Sequence, residues 1–599
     1  MNKIINRRIL NGSEIIYSKL LQHKVKDVFL YSGGAIMPLV NQFYNNPKIK
    51  YYINSNEQNG CNSAIGYAKS TNNTGIMITT SGPGITNCIT SILDSNNDSS
   101  PLIVISGQVS LNTIGTCAFQ ESPAVEITKP ITKWSYLVKN VEELPSVMDN
   151  AFYIANNGKK GAVHLDIPKC ILLAEIDKYN ILNNRDKYNI IDKRDIYKEI
   201  NDFNKCIYKY IDKDYLSIIA DKINNSKSPI FFIGKGANNY SKEITELINK
   251  TNIPITTTMH GMGVYDERNK LSLKMCGMHG SYVANMALQN SDCIINIGAR
   301  FDDRTTGDVN LYAPIAKDNN NIIHCNIEKN DINKTINCDY PVITDANFFI
   351  NYLFKTLKYK DRDSWINKIN NWKSIHPFEY IEDELHIKTQ TVLKYFNKII
   401  KDKDNYIFTF GVGNHLMMGC QYIDWQKSNS IIASGSLGAM GTSLGYAIGA
   451  KIANNSKTVI CIDGDGSFNM NLSDLQTVKR YNIPIKIAIL NDSSLSMVKT
   501  WEKLFFNERY TATENPNNPD YVKLAESYGI KGLYCDNINT LEETINKFLN
   551  YDGPILCEFK VIGEECLPLV KPGAALNDMI LFKDYNKNNI KLDKFNIPS

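Results

Sequence analysis

Apolar runs that end in glycine or a small polar turn recur along the chain, each followed by a stretch with helical spacing, and they fall into three blocks. Strand-like runs alternating with helices build parallel sheets covered on both faces. In the first block the runs lie at 28–31, before Ser32-Gly33-Gly34, and at 49–53, before Glu57. They continue at 76–80, leading into Ser81-Gly82-Pro83-Gly84, at 102–105 before Gly107-Gln108, and at 163–167. The second block has runs at 229–233, followed by Gly234-Lys235-Gly236, and at 253–258, 293–297 and 322–327. The third has them at 406–410, 458–462, 485–490 and 555–559. Polar stretches of little periodicity separate the blocks. The expected fold class is α/β, with three doubly wound parallel-sheet domains at 9–175, 215–355 and 386–565. Linkers at 176–214 and 356–385 join them, and a tail at 566–599 follows, polar and loosely attached from Asp584. The first and third blocks look like two versions of one architecture.

Composition narrows the class. At 599 residues the chain exceeds one hydrophobic core, and a prior of about 150 residues per domain agrees with three or four. With 43% hydrophobic and 21% charged residues, wholesale disorder is excluded. Lys+Arg number 66 against 62 Asp+Glu, a net charge of +4 with no basic block, so charge indicates no nucleic-acid surface. No stretch approaches the roughly 18 apolar residues of a membrane span. Lys3, Arg7 and Arg8 make the N-terminus basic, but the segment is too short for a transit peptide and lacks the apolar stretch of a secretory signal. The 14 cysteines are scattered without CxxC spacing, which argues against a disulfide framework or a zinc site. A reducing, cytoplasmic compartment is expected, or an organelle stroma if the gene is organellar.

The most informative segment is Gly464-Asp465-Gly466-Ser467-Phe468, directly after the run 458–462. A helical stretch, the run 485–490 and then Asn491-Asp492 follow. In such a βαβ unit, parallel neighbours carry their loops to one edge of the sheet, so Asp465 and Asp492 can face one ion. Hard carboxylate oxygens favour Mg²⁺ or Ca²⁺, and the glycines let a phosphate approach the backbone. Alone, GDG is a weak signal, expected by chance in roughly one chain in eight.

This arrangement resembles the thiamine-diphosphate enzyme superfamily, whose signature is GDG with Asn-Asn some two dozen residues on. Carried over, Asp465, Asp492 and the carbonyl of Ser494 would hold the Mg²⁺ that grips the pyrophosphate, with Gly464, Gly466 and Ser467 beside it. Asp492 departs from the usual Asn; the added charge should strengthen metal binding and slightly repel the pyrophosphate. The superfamily also needs a carboxyl in a largely water-free pocket against the cofactor's aminopyrimidine ring, where burial lets it share a proton. Glu57 stands where such an acid belongs, past the run 49–53 and ahead of a small-residue helix at 61–69; an ordinary Glu in a first helical turn is the plainer reading.

Within the superfamily the chain resembles the acetolactate synthases, also called acetohydroxyacid synthases. Asn56-Glu57-Gln58 with Gly66-Tyr67-Ala68 is similar to their His-Glu-Gln…Gly-Tyr-Ala stretch, and Ser81 to Asn87 matches as well. So do Gly115 to Glu121 and Pro130 to Lys133. The resemblance implies that Gly33, Gly34, Pro83 and Asn87 contact the cofactor, and that Phe119, Gln120 and Lys133 line the substrate channel as catalytic residues, with Gln120 also near the cofactor. Ser434 to Gly441 resembles their SGGLGAMG, so that Gly438 would touch the cofactor and Met440 would wedge between its two rings. Asn414 and His415 stand for a Gly-Gln-His that meets the pyrophosphate, and Met497 and Trp501 lie on the substrate-side helix.

Gly277-Met278-His279-Gly280 would arise by chance in roughly one chain in a thousand. With Gly298 to Arg304 it resembles the family's FAD domain, implying flavin contacts from Gly234, Gly236, Met278, His279, Gly280, Arg300, Asn326 and Asp345. Lys159-Lys160-Gly161-Ala162 replaces Arg-Pro-Gly-Pro, so Lys159 keeps a cation without the planar fork. The implied activity is pyruvate decarboxylation on thiamine diphosphate and attack of the hydroxyethyl carbanion on a second 2-keto acid, pyruvate or 2-ketobutyrate, in branched-chain amino acid biosynthesis. The implied cofactors are thiamine diphosphate, Mg²⁺ and FAD. The implied assembly is a homodimer or homotetramer, with a small regulatory subunit as a candidate partner and no role for nucleic acid or membrane. Pyruvate oxidases and other keto-acid decarboxylases are the rival class; a cofactor-binding paralogue without turnover is the other, prompted by Ser32, Asn56, Asn414, Ser436 and Asp492.

Overall fold

The computed structural model describes residues 9–177 and 212–588. Three parallel sheets form its frame. The first has six strands in the order Lys50–Ile53, Asp27–Leu30, Gly75–Thr79, Leu102–Gln108, Ala162–Pro168 and Trp134–Leu137. The second runs Ser272–Met275, Ile255–Thr257, Pro229–Ile233, Cys293–Ile297, Ile322–Asn326 and Tyr340–Ile343. The third runs Ile387–Lys388, Ile555–Ile562, Lys486–Asn491, Thr458–Gly464, Tyr406–Phe410 and Ile431–Ile432, with Lys531–Cys535 also paired to Ile555–Ile562. All of these pairings are parallel, and helices cover the sheets, as an α/β doubly wound fold requires.

Each sheet reverses its strand order between two adjacent inner strands, and ligands of open α/β sheets bind outside the strand ends at such a point. In the first sheet the reversal brings together the loops after Leu30 and Thr79, which carry Gly33-Gly34 and Ser81 to Asn87. The third brings together the loops after Phe410 and Gly464, carrying Asn414-His415 and Asp465. The middle sheet has the strand order common to dinucleotide-binding folds, and its reversal joins the loops after Ile233 and Ile297. There the backbones touch: a Cβ on Gly234 would lie 2.3 Å from the Ala299 Cα.

The first and third domains share one core. Phe29, Ile65, Met77 and Ile92 of the first pack in a single cluster with Leu444, Tyr446, Val459 and Ile487 of the third. Its centre is the helix Glu57–Thr71 crossing the helix Ser443–Ala453. Glycine permits the approach: a Cβ on Gly66 would stand 2.2 Å from the Tyr446 carbonyl oxygen, and one on Gly449 would meet the Ser63 carbonyl.

Several sequence expectations change. The stretch 356–385, read as a linker, contains the helix Asp363–Ile375. Its Trp365 and Trp372 are buried in the central domain's core, and the Trp365 indole donates to the Pro229 carbonyl at 3.1 Å. The tail is docked at its start: Leu569–Val570 pairs antiparallel with Met579–Ile580, and the Val570 amide donates to the Met278 carbonyl at 2.8 Å. Beyond it Phe582–Asn588 is helical, so the looseness expected from Asp584 does not hold to residue 588, and the rest of that stretch lies outside the described residues. Most of the linker 176–214 also lies outside them. The short strands Trp134–Leu137, Ser272–Met275, Tyr340–Ile343 and Lys531–Cys535 were not expected; their apolar positions are few or half-exposed.

Candidate active site

Glu57 opens its helix. Asn56 is the cap, its Oδ1 accepting the Asn59 amide at 2.8 Å, which accounts for an Asn where the acetolactate synthases have His. The Glu57 side chain is buried, and its Oε2 accepts the Asn87 amide Nδ2–H at 2.9 Å. Two residues singled out separately thus form one carboxylate–amide pair beside the Pro83 turn. Gln120, half-buried with φ 62°, reaches the same region, its backbone lying against Gly82.

Two other residues of this group do not join the pair. Phe119 is 88% exposed. Lys133 runs along the surface and tucks its ammonium onto the carbonyls of Ile154 and, at 2.7 Å, Asn157, at the end of the helix Leu144–Asn156. A cation at a helix C-terminus is electrostatically favoured, so the lysine has a structural occupation within one chain.

On the third domain Asp465 is fully buried. Its Oδ2 accepts the amides of Asn518 at 2.7 Å and Asn515 at 3.3 Å, while its Oδ1 has no partner. Burial first, and the nearby charge of Asp492 second, push its carboxyl above the usual range. A buried carboxylate oxygen with no donor is a costly feature unless something else satisfies it, and a cation would. Asp492 folds onto the following turn: its Oδ1 accepts the amide and hydroxyl of Ser494, each at 3.1 Å, and its Oδ2 accepts the Ser496 hydroxyl. Three donors converging on two oxygens suit a carboxylate better than the amide usual at this position. Among the described residues no group of three or more His, Cys, Asp or Glu side chains could hold a metal, so an ion here would need backbone oxygen as well.

Asn414 and His415 flank this pair. The Asn414 Nδ2 donates to Thr500 at 3.2 Å and to the Glu564 carbonyl at 3.1 Å, leaving its buried Oδ1 without a partner. The His415 Nε2 lies 3.4 Å from the buried Asp463 carboxylate. Met497 and Trp501 sit one turn apart on the helix Ser496–Phe505, which Thr500 fastens to Asn414. Met440 is half-buried in the loop after Ile432, between Gly438 and Gly441, and the Gly441 amide donates to Ser467 at 3.0 Å. Asn515, Asn518 and Asp463 were missed by sequence reasoning; the first two lie in an Asn-Pro-rich run, in a chain where Asn is abundant everywhere.

In the central domain Gly234, Gly236 and Arg300 meet at the strand-order reversal. His279 is buried, its Nδ1 has no partner, and burial lowers the imidazole to about 4. Met278 and Gly280 flank it, and the Met278 sulfur accepts from Arg304 at 3.1 Å. Asn326 closes its strand by accepting the Glu328 amide at 3.0 Å, and Asp345 caps the helix Ala346–Thr356 while accepting the Tyr240 hydroxyl at 3.0 Å. Arg300 donates to the Ser436 hydroxyl at 2.6 Å, and Lys159 pairs with Asp331 at 2.8 Å.

Paired loops at the reversals of the first and third sheets, a buried acid on one and a half-satisfied aspartate on the other, define a thiamine pyrophosphate enzyme. Three family models agree: thiamine pyrophosphate enzyme, N-terminal TPP binding domain over residues 10–127, central domain over 216–353, and C-terminal TPP binding domain over 411–559. The chain is 38% identical over 586 residues to the mitochondrial acetolactate synthase catalytic subunit of Saccharomyces cerevisiae, covering 96% of this chain and 84% of that one. It is 36% identical to the acetolactate synthase large subunit of Cyanidium caldarium (97% and 98% covered) and 34% to that of Lactococcus lactis (97% and 98%). The chain belongs to the acetolactate synthase family of thiamine pyrophosphate enzymes, among its catalytic or large subunits. Among the described residues no helix is long and apolar enough to cross a membrane.

Proposed function

We propose that this chain decarboxylates pyruvate and joins the two-carbon unit to a second 2-keto acid, pyruvate or 2-ketobutyrate. The products, 2-acetolactate and 2-aceto-2-hydroxybutyrate, are precursors of branched-chain amino acids. The carrying observation is the buried Glu57–Asn87 pair together with the partnerless Oδ1 of Asp465. Thiamine diphosphate, when bound, supplies the electron sink that loss of CO₂ from a 2-keto acid needs.

The chain's residues do the rest. Glu57 presents a buried carboxyl, and Asn87 fixes the side chain by donating to Oε2, which leaves Oε1 to meet a ring nitrogen. Asp465, Asp492 and the Ser494 carbonyl are the residues to hold Mg²⁺, with Asn414 and His415 toward a pyrophosphate. Met440 and the turn around Gly438 shape the cofactor's seat, and Met497 with Trp501 borders the acceptor keto acid. In the central domain the buried, half-satisfied His279 and the loops of Gly234 and Arg300 fit FAD in a structural capacity, with Lys159 tied to Asp331 rather than free for it.

A homodimer or larger assembly is part of the reading. Among the described residues no hydrogen bond or ion pair joins Glu57 to the Asp465 group within one chain, and Phe119 stands bare. Since the relatives are called catalytic or large subunits, a smaller regulatory partner is proposed too.

The test is to incubate the purified protein with pyruvate, Mg²⁺, thiamine diphosphate and FAD and to assay acetolactate and CO₂ together. Acetolactate with no electron acceptor consumed is expected. Anaerobic bleaching of the flavin by pyruvate would point to an oxidase instead, and neither product would leave a cofactor-binding chain without turnover.

A further inference from the structure

The loop from Ser434 to Gly441 has neither helical nor strand pairing of its own, so other groups must fix it. Two buried carboxylates of the first domain do so. Asp98 accepts the Gly435 amide at 3.0 Å on Oδ2 and the Ser436 amide at 2.9 Å on Oδ1. Asp94 accepts the Ser434 and Tyr446 hydroxyls, and the Ser434 oxygen in turn accepts the Ala439 amide at 2.8 Å. Met440 therefore stands between two backbone anchors. Ala439 is tied through Ser434 to Asp94, and Gly441 is tied to Ser467 in the segment that carries Asp465.

Basic side chains of the first and central domains surround the pair. Lys69 lies 2.7 Å from Asp98 and 3.6 Å from Asp94, and His260 of the central domain lies 3.1 Å from Asp98. Lys235, also of the central domain, donates to the Asp98 carbonyl and to Ser100. Burial pushes the Asp98 carboxyl up, but the neighbouring basic groups, Lys69 foremost, outweigh it and hold it well below the usual range, while burial lowers the His260 imidazole and brings Lys235 down to about 7. A simple ion pair between domains would need one carboxylate; here two are aimed at the amides and hydroxyl of a single loop.

We propose that Asp94 and Asp98 are positioning residues for the carboligase reaction, clamping residues 434–439 from the first domain and so setting where Met440 stands relative to the Asp465 segment. The inference rests on the function proposed above. Ser434→Ala and Asp98→Asn test it in the full chain, the first leaving the Lys69–Asp98 pair intact should the second fail to fold. In the protein without cofactors, amides of 434–441 should exchange with deuterium roughly tenfold faster than in the parent, while those of the strand Thr458–Gly464 stay protected. With Mg²⁺ and thiamine diphosphate bound, exchange of the cofactor's thiazolium proton should slow about tenfold, and kcat should fall with little change in KM. Unchanged amide protection in a folded Ser434→Ala protein would overturn the clamp. Faster amides with unaltered thiazolium exchange would overturn the positioning role alone. If the parent binds no thiamine diphosphate, the functional reading falls and the positioning role goes with it.

Discussion

Asp492 shows how a departure at one position is absorbed by its neighbours. Two hydroxyls and one amide point at its carboxylate, so Asp492→Asn would leave the Ser496 hydroxyl facing an amide nitrogen. Folding stability should change by less than about 1 kcal/mol, because the displaced hydroxyl can turn to another acceptor or to water. The Mg²⁺ dependence of thiamine diphosphate binding should weaken severalfold through loss of one charge, as calorimetric titration against metal would show. Glu267 gives a prediction away from the site. It is buried, its Oε1 has no partner, and burial raises it to about 8 despite Lys274 at 4.0 Å. The folded protein then holds a proton that the unfolded chain releases near pH 4.5, so this group favours folding less and less as pH rises from about 4.5 to about 8. Glu267→Gln should leave the melting temperature at pH 4.5 nearly unchanged and raise it by a few degrees at pH 8.

At the scale of elements, the crossing of Glu57–Thr71 over Ser443–Ala453 is the joint on which the acid's position depends. Gly66→Ala would place a methyl group 2.2 Å from the Tyr446 carbonyl oxygen, and the helices must part to admit it. A loss of roughly 1–3 kcal/mol is expected, seen as an earlier urea transition. Long strands flanked by glycine turns were legible in the sequence: 229–233, 293–297 and 406–410 coincide with observed strands to the residue. The motifs also marked Glu57, Asn87, Asp465 and Asp492 before their side chains could be placed. What escaped was set by distant partners. The helix Asp363–Ile375 reads as polar because only Trp365, Ile369 and Trp372 turn inward. Asn515 and Asn518 carry no local mark of the carboxylate they serve, and Lys133 carries none of the helix end it caps.

For the whole molecule, the prediction concerns which chains complete one site. If Glu57 and Asp465 of different subunits act together, Glu57→Gln and Asp465→Ala should each abolish turnover alone. Coexpressed, they should recover about a quarter of the parent activity, since half the dimers are mixed and each mixed dimer holds one intact site. No recovery in demonstrated mixed dimers would place both groups within a single chain.

The core shared by the first and third domains has a bearing on biosynthesis. The face of Glu57–Thr71 that Tyr446 and its neighbours cover emerges from the ribosome early, and its cover follows only after the whole central domain has been translated. At bacterial or eukaryotic elongation rates the delay is on the order of half a minute. Through that interval the nascent chain carries an uncovered apolar surface, so a chaperone that binds such surfaces should associate with it, and a chain arrested before residue 443 should aggregate.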